Sequence, residues 1–301
     1  MVTSTPTLDY LWLELTNVCN ERCSHCYNSS GPDRRSHRTL SEAEWIRVIS
    51  EAARLNTRHL QFIGGEPTLV RGLVDLLVHA SRSGFSSIEV FTNATNMPLR
   101  LVSVLREADI AVATSLYSHV AERHDAFTKL PGSHARTVNS LRRLLDAGVR
   151  LRVAIIDIDA DASHIDATER FVRNLGIENV SIDRVRGFGR GEDLVAGISN
   201  RKVNELCGRC WMNKMCILPD GTVVPCVMSR TVKLGAIQNT SLADLLLSPR
   251  YRHFQDDVYE NVWKPMERQQ RDSKAGCNPD RHCSPDERCG PTDGGTVCGG
   301  P

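Results

Sequence analysis

The sequence predicts an α/β fold: a partial (β/α)6 TIM-like barrel over residues 9–186, followed by a small cysteine-rich domain over residues 187–301. Two observations lead to this prediction. Six short apolar segments alternate with helical segments up to residue 183, which is the pattern of a parallel sheet covered by helices. The 11 cysteines are also divided, since three lie within the first 26 residues and eight follow Leu206. Residues 1–8 are predicted to form an N-terminal tail.

The first strand and the first helix have clear local patterns. Leu11, Leu13 and Leu15 alternate with other side chains, as in a strand that buries one face. An S-E-A-E capping box begins at Ser41, so a helix is predicted to start there and to run to about Leu55.

The remaining elements of the barrel continue the alternation. Pro98 suits the first turn of its helix, and Gly148 and Gly176 suit the C-terminal caps of theirs. Six β/α units are fewer than the eight that close a full barrel, so one side is expected to stay open to a large substrate. The further predicted strands are His59–Ile63, Ser87–Phe91, Ile110–Ser115, Arg150–Asp157 and Asn179–Asp183, and the further helices are Val70–Arg82, Pro98–Glu107, Ser133–Ala147 and Ser163–Leu175.

Composition and charge exclude several classes of protein. The 301 residues include 37 basic and 36 acidic side chains, a balance that gives no indication of nucleic-acid binding. The N-terminus lacks a secretory signal, and no apolar run approaches the length of a membrane span, so a cytoplasmic protein without membrane association is expected. Cytoplasmic thiols stay reduced and an odd number of cysteines cannot pair completely, so the cysteines are interpreted as metal ligands.

Cys19, Cys23 and Cys26 stand in a loop directly after the first strand, in the sequence C-N-E-R-C-S-H-C-Y. A cubane iron–sulfur cluster that only carries electrons takes four protein ligands, so three cysteines predict an iron atom left open for a substrate or cofactor. Structural zinc is the alternative, and it normally takes four ligands in two pairs. Within the next 30 residues only His37 offers a further cysteine or histidine ligand.

A second motif, Gly64-Gly65-Glu66-Pro67, follows the second strand at the same edge of the predicted sheet. Glycines without side chains let a ligand approach the backbone closely, and exposed peptide groups can bond an amine or a carboxylate. An ordinary strand-to-helix turn is the alternative interpretation.

Together these motifs resemble those of the radical S-adenosylmethionine (SAM) enzymes, whose pattern is C-x3-C-x2-C with a later G-G-E-P. The resemblance implies that the three cysteines hold a [4Fe–4S] cluster and that SAM chelates its fourth iron. Electron transfer from the cluster would cleave SAM to give a 5′-deoxyadenosyl radical, which abstracts a hydrogen atom from the substrate. The resemblance also implies a cofactor site that comprises Tyr27, Gly64, Gly65, Glu66, Pro67, Thr92, Asn93 and Ser115.

The implied roles of these residues differ. The residues Gly64 to Glu66 would bind the methionine amino end of SAM, and Thr92-Asn93 would lie near the cofactor. Ser115 would contact its ribose or carboxylate, while His25 and Tyr27 would pack near its adenine. The alternative for the polar residues at strand ends is that they only satisfy the backbone of a loop.

The cysteine-rich zone, residues 187–301, begins near Gly187, where the sequence G-F-G-R-G-E breaks the alternation of strands and helices. Its eight cysteines equal two sets of four, so the total of 11 divides into one open cluster of three ligands and two closed clusters of four. The turn at Asp220-Gly221 lies between apolar arms and predicts a β-hairpin. The predicted metal ligands of this zone are Cys207, Cys210, Cys216, Cys226, Cys277, Cys283, Cys289 and Cys298.

This zone is similar to the SPASM extension of radical SAM enzymes, an auxiliary iron–sulfur domain with a G-x4-C motif that Gly221 and Cys226 fit. The later cysteines depart from the C-x2-C-x5-C-x3-C pattern of that extension. The predicted partition gives Cys210, Cys216, Cys226 and one late cysteine to the nearer of two auxiliary [4Fe–4S] clusters, and the other four to the distal one. Zinc knuckles are the alternative, because Cys207-x2-Cys210 has zinc spacing.

The resemblance to the SPASM group implies a peptide maturase. Its members act mainly on ribosomally made peptides, forming thioether or carbon–carbon crosslinks or changing residue stereochemistry, and two auxiliary clusters suit a net oxidation. The expected partners are a precursor peptide and an electron donor such as flavodoxin or ferredoxin. The first strand begins near Leu11, which leaves no room for an N-terminal leader-binding module. A separate leader-recognition protein, or direct binding along the open side of the barrel, is therefore expected.

Two other functions stay open at this point. A radical SAM dehydrogenase would oxidise an alcohol in a small molecule or a protein side chain with the same initiating chemistry. An iron–sulfur electron carrier or sensor would ligate every cluster fully and would need no G-G-E-P motif. The sequence singles out no catalytic base, since Asp157, Asp159 and Asp183 all lie near strand ends without a distinguishing feature.

Overall fold

A single mixed sheet forms the centre of the computed structural model, which describes residues 7–34, 39–194 and 205–268. Its strands are β1 (Tyr10–Glu14), β2 (His59–Ile63), β3 (Ser87–Phe91), β4 (Ala111–Leu116), β5 (Leu151–Asp157), β6 (Asn179–Arg184), β7 (Lys214–Ile217), β8 (Thr222–Val224) and β9 (Gly235–Ala236). They lie in the order β6-β5-β4-β3-β2-β1-β7-β8-β9.

Helices connect most of the parallel strands. The capping box predicted at the first helix is present, since the Ser41 hydroxyl accepts from the Glu44 amide at 3.3 Å and the Glu44 carboxylate accepts from the Ser41 amide at 2.7 Å. The helices are α1 (Glu42–Arg54), α2 (Leu73–Ser81), α3 (Leu99–Glu107), α4 (Ala121–Thr128), α5 (Ser133–Asp146), α6 (Ala162–Asn174), α7 (Leu242–Leu246) and α8 (Pro249–Val258), with 3-10 turns at Pro67–Leu69 and Gly189–Asp193 and a π-helical segment at Tyr259–Trp263. None of the described helices is long and apolar enough to cross a membrane.

The first six strands confirm the predicted α/β partial barrel. They pair in parallel and in chain order from β1 to β6. Apolar side chains such as Phe62 and Val90 are fully buried in the main core, whose burial supplies the largest favourable contribution to folding. Parallel strands present their carboxyl ends at one edge of the sheet, so the loops after β1, β2 and β3 meet there.

The cysteine-rich zone also contributes to this sheet. Strand β7 pairs in parallel with β1, with Tyr10 opposite Lys214 and Leu13 opposite Ile217. The predicted hairpin is present as β7 and β8, with Gly221 at φ +86° in its turn. One flank of β1 is therefore covered by β7, and β6 is the edge of the barrel that has no second strand beside it within the described residues. The domain boundary at residue 187 remains a prediction.

Some elements differ from expectation. Helix α4 was not predicted, and no side chain caps its N-terminus. The helix expected from Val70 begins at Leu73, because Val70 is extended at ψ 119° after the 3-10 turn. Pro98 is extended at ψ 148° and precedes the first turn of α3 rather than lying within it.

Candidate active site

The loop after β1 carries three free thiols at the carboxyl edge of the sheet. Its base is closed where the Cys19 amide donates to the Gly31 carbonyl at 3.1 Å. Cys19 and Cys23 are buried and Cys26 is half-buried. Backbone amides already point at two of the sulfurs, since Glu21 donates to Cys19 Sγ and Ser30 donates to Cys26 Sγ, each at 3.4 Å. Such hydrogen bonds stabilise thiolate ligands.

Two elements that were not predicted to lie at the site hold this loop in place. On one side, the Ser24 amide donates to the Phe127 carbonyl at the end of α4, at 2.9 Å. On the other side, Arg190 donates through Nε to the Cys23 carbonyl at 2.7 Å and through Nη1 to the Ser30 carbonyl at 2.8 Å. Contacts from both flanks therefore add to the loop's own hydrogen bonds in fixing its position.

The segment that supplies Arg190 begins with the G-F-G-R-G-E sequence, at which a domain boundary is predicted. Gly189 lies in the left-handed region at φ +57°, and a Cβ there would lie 2.3 Å from the Cys26 carbonyl oxygen. Only glycine allows this approach of two backbones. The glycine-rich composition was thus the available signal that the segment packs against the cysteine loop.

The glycine motif after β2 packs directly on the start of the cysteine loop. The Gly65 amide donates to the Thr16 carbonyl at 2.6 Å and the Glu66 amide donates to the Val18 carbonyl at 2.8 Å. A Cβ on Gly65 would lie 2.2 Å from the Val18 oxygen, well inside any normal contact. The motif therefore sets the position of the backbone that leads into Cys19. Pro67 is buried and begins the 3-10 turn.

Glu66 joins the ends of β2 and β3. Its side chain is buried, and Oε1 accepts from the Thr92 hydroxyl at 2.6 Å and from both the Thr68 amide and hydroxyl, at 3.0 and 2.7 Å. Oε2 accepts from the Asn93 amide at 2.8 Å. Both carboxylate oxygens are thus engaged by protein donors, and burial raises the pKa of this carboxyl while these hydrogen bonds oppose the shift.

Asn93 extends this network to the cysteine loop. Its Nδ2 donates to Asn20 Oδ1 at 2.8 Å and lies 3.9 Å from Cys19 Sγ, while its Oδ1 accepts from the Thr95 hydroxyl at 2.7 Å. Hydrogen bonds that run from Glu66 through Asn93 to Cys19 therefore connect the loops that follow β1, β2 and β3.

Burial favours the protonated form of Cys19 and of Cys23. It raises the pKa of Cys19 to about 12, and it raises the pKa of Cys23 well above the usual range, with the neighbouring Glu21 carboxyl adding to the shift. Thiolates are the form that binds iron, so metal binding at these sulfurs releases protons.

A cavity of about 940 Å³ opens beside these loops. Ser115, from β4, and Tyr27 line it, and so does His25, whose Nε2 is buried without a hydrogen-bond partner among the described residues. Tyr117, which the sequence analysis did not single out, also lines it and packs against the ring of Phe127, with the ring centroids 4.1 Å apart. The predicted residues that line this cavity are Cys19, Cys23, Cys26, His25, Tyr27, Gly64, Gly65, Thr92, Asn93 and Ser115, together with Cys207.

The donors and space at this site fit a cluster with a SAM ligand. The three thiols stand on one short loop and line the same cavity. The buried Nε2 of His25 has no hydrogen-bond partner among the described residues, and a bound ligand could supply one.

The described auxiliary cysteines lie around the β7–β8 hairpin. Cys210, Cys216 and Cys226 are buried and Cys207 is half-buried, and all four are free thiols. The neighbouring Cys207 and Cys226, together with burial, raise the pKa of the Cys210 thiol well above its usual range. Four predicted ligands lie outside the described residues: Cys277, Cys283, Cys289 and Cys298.

An open three-thiol loop beside a glycine cradle, at the carboxyl edge of a partial barrel, defines an iron–sulfur enzyme that uses SAM. The comparison with known families gives the same class: the chain belongs to the radical SAM superfamily, whose profile matches residues 13–167. An iron–sulfur cluster-binding domain of the SPASM family matches residues 207–284. The protein is therefore an enzyme that binds SAM, a [4Fe–4S] cluster and auxiliary iron–sulfur clusters.

Three curated relatives illustrate the similarity. The antilisterial bacteriocin subtilosin biosynthesis protein AlbA of Bacillus subtilis is 27% identical over 78% of this chain and 59% of its own length. The sporulation killing factor maturation protein SkfB of the same organism is 30% identical over 60% of this chain and 43% of its own. The mycofactocin maturase MftC of Mycolicibacterium smegmatis is 28% identical, again over 60% of this chain and 45% of its own length. The chain thus spans about half the length of these relatives.

Solved structures share the fold. Streptococcus suis SuiB bound to its precursor peptide SuiA superposes with a TM-score of 0.68 at 16% identity, covering 83% of this chain and 67% of SuiB. The enzyme anSMEcpe with bound AdoMet and a peptide superposes with a TM-score of 0.65 at 14% identity, covering 87% of this chain and 86% of that one.

Proposed function

We propose that this enzyme is a maturase that abstracts hydrogen from a ribosomally synthesised peptide and oxidises it, forming a thioether or carbon–carbon crosslink. One observation carries the proposal: a single cavity is lined both by Cys19, Cys23 and Cys26 and by Cys207. A substrate in that cavity lies between the site of radical initiation and the auxiliary cysteines. Epimerisation, which needs no net oxidation, is the other outcome open to a peptide radical.

The position of the cavity supports a substrate that enters from the side of the barrel. Its volume is about 940 Å³, and the cofactor and a segment of the substrate would share it. Residues of β6, such as Ser181 and Asp183, line the same cavity. A peptide can therefore enter from the edge of the barrel that has no neighbouring strand among the described residues.

The relatives support a peptide substrate as well. AlbA and SkfB are named for bacteriocin biosynthesis and killing-factor maturation, and SuiB has been solved with a precursor peptide. We extend that substrate class to this chain, with a precursor peptide, a separate leader-recognition protein, and flavodoxin or ferredoxin as electron donor.

The residues of this chain position the reactants. Cys19, Cys23 and Cys26 would hold the first cluster, and the Gly64-Gly65 backbone together with Ser115 and Tyr27 would hold SAM. Glu66 acts by fixing Thr92 and Asn93, because its own oxygens are already engaged. When bound, the cluster and SAM supply a 5′-deoxyadenosyl radical that removes one hydrogen atom from the substrate.

Formation of a thioether balances as a two-electron oxidation of the peptide. A C–H and an S–H bond break and a C–S bond forms. One hydrogen atom leaves in 5′-deoxyadenosine, the second electron passes to an auxiliary cluster, and the second proton passes to solvent. An auxiliary cluster held beside Cys207 would be placed to accept that electron.

The test uses the full-length enzyme, reconstituted anaerobically with iron and sulfide. It is incubated with SAM, dithionite and the precursor peptide encoded beside its gene. We expect equal amounts of 5′-deoxyadenosine and of peptide that has lost two hydrogens, measured by chromatography and mass spectrometry. The Cys23→Ala variant, which lacks a ligand of the first cluster, should form neither product.

Other results would redirect the proposal. Incorporation of deuterium from solvent without loss of mass would identify an epimerase. Turnover of a free small alcohol to its aldehyde, with no change to the peptide, would overturn the peptide substrate in favour of a dehydrogenase.

A further inference from the structure

Arg190 contacts the cysteine loop at three separate carbonyl groups. Its backbone amide donates to the Cys26 carbonyl at 3.1 Å. Its side chain donates through Nε to the Cys23 carbonyl at 2.7 Å and through Nη1 to the Ser30 carbonyl at 2.8 Å. Cys23 and Cys26 are both predicted ligands of the first cluster. One residue from outside the loop therefore fixes the backbone at two cluster ligands.

The glycines on either side of Arg190 allow it to lie this close to the loop. A Cβ on Gly191 would lie 2.1 Å from the Arg186 carbonyl oxygen, so a side chain there would displace that backbone. Gly189 meets the Cys26 carbonyl in the same way from the other side. The sequence Gly-Arg-Gly thus places the backbone against the cysteine loop while the arginine side chain crosses it.

The charge of Arg190 has no neutralising partner among the described residues. Two neighbouring arginines are paired, since Arg184 lies 2.9 Å from Glu205 and Arg186 lies 2.7 Å from Asp183. Within the described part of the chain, no carboxylate forms an ion pair with Arg190, whose side chain donates to carbonyls instead. The residue is half-buried. Its positive charge is therefore screened less than that of a cation in bulk water.

A cation in this position favours the reduced form of a cluster bound at the cysteine loop. Reduction adds one negative charge to the cluster, and a fixed positive charge nearby stabilises that state more than the oxidised one. Net charge and hydrogen bonds to the sulfurs help to set the potential of an iron–sulfur cluster. Arg190 contributes to both, because Ser30, whose carbonyl it holds, aims its own amide at Cys26 Sγ, 3.4 Å away.

We propose that Arg190 is a positioning residue that raises the reduction potential of the first [4Fe–4S] cluster, by fixing the cysteine loop and by placing a cation beside it. The inference depends on the radical SAM class of the enzyme and not on the proposed peptide substrate. The cluster must accept an electron before SAM is cleaved. Arg190 therefore sets how strong an electron donor the enzyme needs.

Two substitutions separate the charge of Arg190 from its hydrogen bonds. Arg190→Gln is neutral but keeps an N–H donor for one of the loop carbonyls. Arg190→Lys keeps the positive charge but loses the planar fork that reaches two carbonyls at once. A residue that only held the loop would lose function in both variants alike, whereas a residue that acts through its charge would tolerate lysine better.

The test measures the potential of the first cluster in the full-length enzyme, reconstituted anaerobically with iron and sulfide. Samples are poised at a series of potentials with dithionite, and the reduced cluster is quantified by electron paramagnetic resonance (EPR). The signal that changes when SAM is added identifies the first cluster, because SAM binds to no other. Its midpoint is then measured without SAM and without peptide.

For Arg190→Gln, we expect the ratio of reduced to oxidised first cluster at a given potential to fall about tenfold, which corresponds to a midpoint about 59 mV lower for one electron. Arg190→Lys should change this ratio by less than about threefold, because the charge remains. The control is Arg173→Gln on α6, an exposed arginine paired with Glu169, which should leave the midpoint unchanged.

Three results would overturn the proposal. An unchanged midpoint in Arg190→Gln would show that the charge does not act on the cluster. Equal shifts in the glutamine and lysine variants would show the same, as would the loss of the SAM-sensitive signal and of about four iron atoms per chain in both. Loss of the first cluster in Arg190→Gln alone, with the cluster kept in Arg190→Lys, would support the requirement for a cation.

Discussion

Glu14, at the end of β1, and Arg230, which lies four residues after Cys226, form a two-point salt bridge. Arg230 Nη1 lies 2.6 Å from Glu14 Oε2, and Nη2 lies 3.0 Å from Oε1. The Glu14 side chain is fully buried, and Asn28 from the cysteine loop adds a donor at 2.8 Å. Glu14 therefore connects three parts of the molecule: strand β1 of the barrel, the first cysteine loop through Asn28, and the cysteine-rich zone through Arg230.

Arg230→Met is expected to lower the free energy of unfolding by about 3 kcal/mol, because it leaves a buried carboxylate without its cation. Replacing both partners, as Glu14→Gln with Arg230→Met, should cost less than the single change. Denaturant titration of the reconstituted enzyme, followed by circular dichroism, measures both. The control is Arg150→Met, whose partner Asp109 is exposed, and which should cost less than about 1 kcal/mol. Equal losses for the two arginines would contradict the prediction.

Glu66→Gln should weaken SAM binding. The amide places a donor where the carboxylate now accepts from Thr92 and Asn93, so the ends of β2 and β3 lose their shared acceptor. We expect the Kd for SAM, measured by calorimetry under anaerobic conditions, to rise about tenfold, which corresponds to about 1.4 kcal/mol. Glu107→Gln, at an exposed carboxyl at the end of α3, serves as the control. An unchanged Kd at position 66 would show that the network is dispensable.

Gly65→Ala should prevent assembly of the first cluster. The added Cβ would lie 2.2 Å from the Val18 oxygen, and moving that backbone displaces the segment that leads into Cys19. We expect a cost of about 3 kcal/mol and a loss of about four iron atoms per chain. Gly84→Ala is the matched control, because a Cβ there meets nothing within 4 Å and only the φ of +89° opposes it. Full iron content in the Gly65 variant would refute this account of the motif.

His124 should make stability fall in mild acid. Burial, with help from the nearby His134, lowers the pKa of His124 from 6.5 to about 4. Between these values the unfolded chain binds a proton that the folded protein excludes, so the free energy of unfolding falls as pH drops from 6.5 towards 4. The loss attributable to this residue is at most about 3 kcal/mol. Melting curves of the wild type and of His124→Leu at pH 7 and pH 5 should show the smaller pH dependence in the variant, and equal slopes would count against it.

Local patterns predicted most of the barrel. The capping box at Ser41, the boundaries of β2 and β3, and the turn at Asp220-Gly221 depend on residues a few positions apart, and all three appear in the structure. The cysteine loop and the glycine motif were also predicted to lie at one edge, since parallel strands bring their carboxyl ends together. The backbone contact between Gly65 and Thr16 shows how closely they meet.

Such local patterns do not predict which residues or strands pair when they are far apart in the sequence. Nothing near Glu14 indicates that its partner is Arg230, and nothing in β7 indicates that it pairs with β1. Helix α4 carries no capping side chain, so its sequence gave no start signal, yet its end holds the cysteine loop through Phe127. The contacts that position the site are mostly of this tertiary kind.

Because β1 pairs with both β2 and β7, the ribosome must make most of the chain before the first strand has its second neighbour. Until Lys214–Ile217 emerges, one flank of β1 is an unpaired strand edge, which invites association with other chains. The three cysteines of the first loop lie beside that edge throughout synthesis. A translation product that stops before β7 keeps this edge open, and we expect it to aggregate more readily than a chain that includes β7.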